Sequence, residues 1–201
     1  MIVLRIEGAS FARDADDVKP FSAEVAAGAR VVREFPSERA AAIAARLAAG
    51  IVKPTGGAVF IGEYQTRIQP VQAKARVAFV PRDTAAFTRG PFARELRYFA
   101  EIFGIDLATA QQRAGAALAA LGAGGTHGAD EYARVVALAL IRTTPLLVLD
   151  RAPEHLYAAI AAYADAAIFA TRVAEPAPTG SHEAIGERGG VREFDTAASA
   201  R

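Results

Sequence analysis

The chain has 201 residues, 52% hydrophobic and 22% charged, with a formal net charge of +1. That apolar content suits one ordered core with room for a subdomain, and so small a net charge gives no general attraction to nucleic acid or an anionic membrane. There is no Cys, which excludes disulfides and thiolate metal sites and fits a cytoplasmic setting.

Taken along the chain, Ile2–Glu7 and Val18–Val25 read as strands of an N-terminal antiparallel layer. The charged turn between them, with Arg13, Asp14, Asp16 and Asp17, is unlike a signal peptide. Val31–Phe35, Ala58–Ile61, Val77–Val80, Leu146–Asp150 and Ala167–Ala170 are short apolar runs bounded by turns or helices. Such runs predict an α/β core with buried strands. Between the first two runs, Ser37 is a predicted N-cap, Ile43 and Leu47 share a helical face, and Gly50 stops the helix.

Pro91–Gly104 is an amphipathic helix with Leu96, Phe99, Ile102 and Phe103 on its apolar side. Leu107–Leu121 and Glu131–Arg142 are two more helices. The predicted organisation is therefore an α/β core over 1–83 and 145–201, with a helical subdomain inserted over 84–144. After Glu175 the composition turns to Pro, Gly, Ala and Thr, with Val191–Phe194 as a predicted edge strand and a frayed end beyond it. No apolar run reaches the roughly 18–20 residues of a membrane span. Rich Ala, Arg and Gly usage points to a GC-rich bacterial genome.

The segment Phe21–Gly62 carries the most information. Gly28 closes a hairpin, Val31 and Val32 sit in a buried strand, a helix runs to Gly50, and Lys53-Pro54-Thr55-Gly56-Gly57 leads into another strand. This order resembles the front end of an ATP-binding-cassette (ABC) ATPase. The resemblance continues to about Arg172 and implies a P-loop NTPase-like core sheet with N-terminal antiparallel strands and a helical insert.

What the resemblance implies for chemistry is loss. Where the family has a phosphate loop of the form G-x-x-x-x-G-K-S/T, this chain has Phe35-Pro36-Ser37-Glu38-Arg39-Ala40-Ala41-Ala42. Phosphate loops work because glycines let backbone N–H groups wrap the anion while a Lys and a Ser or Thr hydroxyl meet the phosphates and magnesium. Here Phe35 stands at the first Gly, Ala41 at the Lys and Ala42 at the magnesium ligand. Glu38 suits the helix dipole and repels phosphate. Arg39 is the one neighbouring cation along the sequence, and an exposed helix face accounts for it. The turn Phe35–Glu38 is expected to be closed, with the Phe35 ring in the volume of a β-phosphate.

The remaining motifs follow in family order. Ala75–Pro81 matches the strand before the Gln-bearing loop, with Arg82 at the Gln position. The signature L-S-G-G-Q aligns with His127-Gly128-Ala129-Asp130-Glu131, where the Ser is missing and two acids face a docking phosphate. Leu146–Asp150 is the Walker B strand; Asp150 reads as a strand-end residue held by neighbouring N–H groups. The general-base position is Arg151, which accepts no proton from water. Glu154-His155-Leu156-Tyr157 keeps only Leu156 of the dimer-facing loop, and Arg172 follows Thr171 at the switch His position. A short Leu156–Thr171 segment implies a trimmed helix.

Other constellations are weaker. His127, His155 and His182 lack ligand spacing, so no metal site is expected. Arg94, Arg97 and Arg113 alternate with Glu95 and Glu101, the pattern of a mixed-charge surface. The expected protein is a catalytically inactive pseudo-ATPase with no cofactor. Its expected partner is a protein: an intact ABC ATPase subunit, a membrane permease or a second copy. The setting is cytoplasmic, or peripheral to the inner membrane through such a partner, without nucleic acid or direct membrane insertion. Two other readings stay open: an ATP-binding subunit completing a weak or composite site, and a scaffold that has left transport.

Overall fold

The computed structural model describes residues 1–13, 16–85, 90–123 and 130–175. Along the chain the elements are β1 (Ile2–Arg13), β2 (Asp16–Ala26), β3 (Arg30–Phe35), α1 (Glu38–Ala48), β4 (Gly56–Ile61), β5 (Tyr64–Gln65) and α2 (Pro70–Ala75). They continue with β6 (Val77–Val80), α3 (Phe92–Phe103), α4 (Leu107–Ala120), α5 (Asp130–Leu140), β7 (Leu146–Asp150), α6 (Glu154–Tyr163) and β8 (Ala167–Val173).

Two four-stranded sheets share α1. One has the order β2-β1-β4-β5 and is antiparallel, and the other has the order β3-β8-β7-β6 and is parallel. Four of the five predicted core strands lie in the parallel sheet; the fifth, β4, pairs with β1 instead. The reason is legible in its burial. Only Val59 and Ile61 of β4 are buried, so it has one wet face, as an antiparallel strand can. β1 runs to Arg13 rather than stopping at Glu7, through register shifts that surround Gly8. Gly57 faces that irregularity with φ +72°, and a Cβ there would run into the carbonyl oxygens of Glu7 and Gly8. Glycine is required at this close approach.

All five residues of β7 are buried, and their alternation divides two cores. Leu146 and Val148 join Phe169 of β8 on the side of α1 and the antiparallel sheet. Leu147 and Leu149 join Ile168, Ala170 and the apolar faces of α5 and α6 on the other. A third cluster, with Leu96, Ala110, Ala114, Leu138 and Ile141, unites α3, α4 and α5. The shortened segment after Asp150 still holds the ten-residue α6. The predicted strand Val191–Phe194 lies outside the described residues.

The predicted cap of α1 forms: the Ala40 N–H donates to Ser37 Oγ at 3.1 Å. Ser37→Ala is expected to cost about 1 kcal/mol, read as a lower midpoint in urea at unchanged slope. The mixed-charge face expected of α3 and α4 is more ordered than a solvated patch. Glu95 is largely buried and pairs with Arg134 at 2.9 Å, and the Arg113 guanidinium donates to the Ile141 carbonyl at 2.7 Å. The latter satisfies a carbonyl just past the C-terminal end of α5, where a cation is favoured.

Candidate functional site

Because β3, β8, β7 and β6 are parallel, their C-terminal ends open on one edge of the sheet. That edge is where open α/β sheets place ligands. A cleft of about 560 Å³ lies there, lined by side chains that include Glu34, Glu38, Arg82, Arg151, Glu154 and Arg172. The fold thus brings together Arg82, Arg151 and Arg172, the residues expected at the Gln-loop, general-base and switch positions, together with Glu38, and buries Asp150 behind Arg151.

The phosphate-loop frame itself is absorbed into regular structure. β3 ends at Phe35 and α1 begins at Glu38, leaving only Pro36 and Ser37 as connection. The turn is closed, but the expected place of the Phe35 ring is wrong. It is buried against Phe21 of β2 at 5.3 Å between centroids, edge to face, and does not line the cleft. An aromatic pair in the core outweighs an exposed ring in a polar mouth. Ala40, Ala41 and Ala42 are buried in the body of α1, and Ala41 is fully so. The connection is two residues long, and the N–H groups of Ala40 and Ala41 are already taken by Ser37.

Arg151 dominates the cleft floor. Its Nε donates to Asp150 Oδ1 at 2.7 Å and its Nη2 to Asp150 Oδ2 at 3.3 Å, a two-point grip on a carboxylate only 1% exposed. Its Nη1 reaches Glu38 Oε2 on α1 at 3.1 Å. The sequence had Arg39 as the cation beside Glu38; the fold supplies Arg151 instead, from 113 positions away. The hydrogen bond it donates to Asp150 raises the Arg151 pKa above its ordinary value. Its backbone is held by an N–H bond to the Thr171 carbonyl at 3.1 Å and takes φ 47°, the one positive φ outside glycine among the described residues.

The expectation for Asp150 needs the same correction. One backbone N–H, that of Arg82, points at Oδ2 from 3.4 Å, but the closer partner is the guanidinium of Arg151. Beneath them Tyr132 of α5 is buried with no hydrogen-bond partner on its hydroxyl among the described residues. Burial raises its pKa, with the charge of Asp150 adding to the effect. Arg172 pairs with the exposed Glu154 at 3.3 Å and lies over the Tyr157 ring.

Of the signature positions, Gly128 and Ala129 lie outside the described residues. Asp130 opens α5, and exposed Glu131 accepts a bond from the Thr84 hydroxyl at 3.4 Å. Sequence reading missed Tyr132 and the Arg151–Glu38 contact; no local pattern signals a pair so distant in the chain.

No family model and no curated relative matches the chain. Solved structures do. An ATP-binding subunit of an ABC transporter superposes with a TM-score of 0.67 at 15% identity, covering 85% of this chain and 79% of that one. The protein cbiO1 from Clostridium perfringens, part of the ABC transporter complex cbiONQ, gives 0.67 at 13% identity, covering 86% and 79%. An ABC transporter ATP-binding protein from Pyrococcus furiosus gives 0.66 at 15% identity, covering 87% and 93%. The fold is that of ABC transporter ATP-binding subunits. No helix among the described residues is long and apolar enough to cross a membrane.

Proposed function

We propose that this chain is a pseudo-ATPase: a non-catalytic protein of ABC ATPase architecture that acts as an interaction or regulatory subunit of a transporter-type complex. The observation that carries the reading is the state of the Walker B carboxylate. Asp150 is gripped by the guanidinium of the residue in the general-base position, at 2.7 and 3.3 Å. A positioned base and a positioned cation are what phosphoryl transfer needs most, and Arg151 removes the first and blocks the second.

Two further features support the reading. The connection from β3 to α1 is only Pro36 and Ser37, of which Pro36 has no N–H to offer a phosphate, and it carries none of the glycines that let a backbone wrap one. The cleft mouth carries Glu34, Glu38, Glu154 and Glu175, four carboxylates around three arginines, which opposes a polyphosphate. A protein partner is favoured by an apolar groove lined by Phe79, Phe99, Phe103 and Leu138, next to Tyr98 and Ile102, which α3 leaves exposed.

Titration calorimetry with ATP and magnesium, at protein concentrations that detect roughly millimolar affinity (about 4 kcal/mol), is expected to show no saturable binding. Micromolar binding would overturn the reading in favour of an ATP-binding subunit with a weak or composite site.

A further inference from the structure

We infer that Arg151 is a built-in counter-cation that clamps the cleft from inside, tying the end of β7 to the first turn of α1. Three observations carry it. Asp150 is a buried carboxylate whose charge must be matched within the fold, because water reaches only 1% of its side chain. Among the described residues the one cation within hydrogen-bond distance of it is Arg151, which meets both oxygens and still extends Nη1 to Glu38 on the facing helix. The third is the backbone at Arg151, held at φ 47°. A bulky residue keeps that conformation only when surrounding contacts over-determine it.

The geometry also says why an arginine and not a lysine. Two carboxylates lie in different directions from the same side chain, one taken by Nε and Nη2, the other by Nη1. A planar fork with donors on both sides serves them together, whereas an ammonium is a point charge that satisfies one. Without the clamp, Asp150 keeps a distant N–H from Arg82, and Glu38, already exposed at the start of α1, loses its guanidinium partner. The first turn of α1 then keeps the Ser37 cap and the packing of Ala40 and Ala41 but loses its ion pair with the end of β7. This inference rests on the contacts of the cleft and not on the loss of nucleotide chemistry, so the calorimetric result and the one below fail separately.

The test uses Arg151→Ala, Arg151→Lys and Arg151→Gly in the full chain, with melting curves and amide hydrogen exchange. Glycine is the informative variant, because it relieves the left-handed backbone while removing the cation. If backbone strain were the whole story, Arg151→Gly would melt above wild type. The clamp requires it to melt several degrees below, with the amides of Ala40, Ala41 and Arg82 exchanging about tenfold faster or more. Arg151→Lys, which keeps the charge and folds more readily, is expected to fall between wild type and alanine. Millimolar methylguanidinium is expected to restore much of the melting temperature of Arg151→Ala, and methylammonium or sodium chloride at equal concentration to restore little. The inference is overturned if Arg151→Gly is as stable as wild type with unchanged exchange. It is equally overturned if methylguanidinium does no better than sodium chloride.

Discussion

Phe169→Ala is expected to destabilise the protein by about 3–5 kcal/mol, the range for deleting a buried aromatic ring. The residue is fully buried at the centre of the parallel sheet, where β8 pairs with Val31 of β3 on one side and Val148 of β7 on the other. Its ring faces the cluster that α1 and the antiparallel sheet complete, so three layers lose contacts at once. Neighbouring strands cannot collapse into the space without breaking ladder bonds, which places the cost at the upper part of the range. Against a total stability of about 5–15 kcal/mol, much of the margin is gone. The melting temperature is expected to fall by roughly 10 °C or more. Ile68→Ala, at a side chain 71% exposed, serves as the control and is expected to stay within about 0.5 kcal/mol. Equal effects at the two positions would mean that the parallel sheet is not the main core.

The parallel sheet was legible because β6, β7 and β8 are mostly buried and so read as apolar runs, Leu146–Asp150 the clearest, whereas β3 at the sheet edge leaves Val31 and Val32 only half-buried, contrary to the buried strand expected there. The antiparallel layer was less so. β1 continues past Gly8 through irregular pairing that no two-residue alternation reports. β5 has two residues and α2 six, too short for any periodicity to register. In the site, each motif position was readable one at a time, since strand ends and helix starts fix where those residues emerge. Their partners were not. Glu38 reads as a dipole-matching helix start, and only the fold shows that it also meets Arg151. Phe35 reads as an obstruction at a phosphate, because sequence gives position but not direction; its ring turned into the core, where Phe21 was waiting. Arg113 was read as part of a mixed-charge surface, yet it binds the Ile141 carbonyl, a role that spacing along a helix does not reveal.

Rebuilding the phosphate loop alone is expected to leave the protein without ATPase turnover. The variant carries Phe35→Gly, Ala40→Gly, Ala41→Lys and Ala42→Thr. Each change meets a structural obstacle. Phe35→Gly deletes a buried ring from its contact with Phe21, at about 3–5 kcal/mol. Ala40→Gly costs about 1 kcal/mol in a helix. Ala41→Lys drives an ammonium into a position that is fully buried against the core, where an unpaired charge is expelled or deprotonated. Four substitutions do not change the connection length, so a loop would have to unwind the first turn of α1 at the expense of the Ser37 cap. If the fold survives, chemistry is still lacking. Arg151 remains on Asp150, Arg172 remains on Glu154, and residues that act as one unit return little rate when only some are repaired. The measurement is phosphate release by the quadruple variant, with circular dichroism to establish that it is folded. Arg151→Glu in the otherwise unaltered chain, a single change that restores a carboxylate at the base position but removes the counter-charge of Asp150, provides a second arm and is expected to be equally inactive where it folds. Turnover on the order of 1 per second by either folded variant would show that the remaining cleft is competent. The guanidinium at position 151 would then be a brake on an ATPase rather than part of a protein without one.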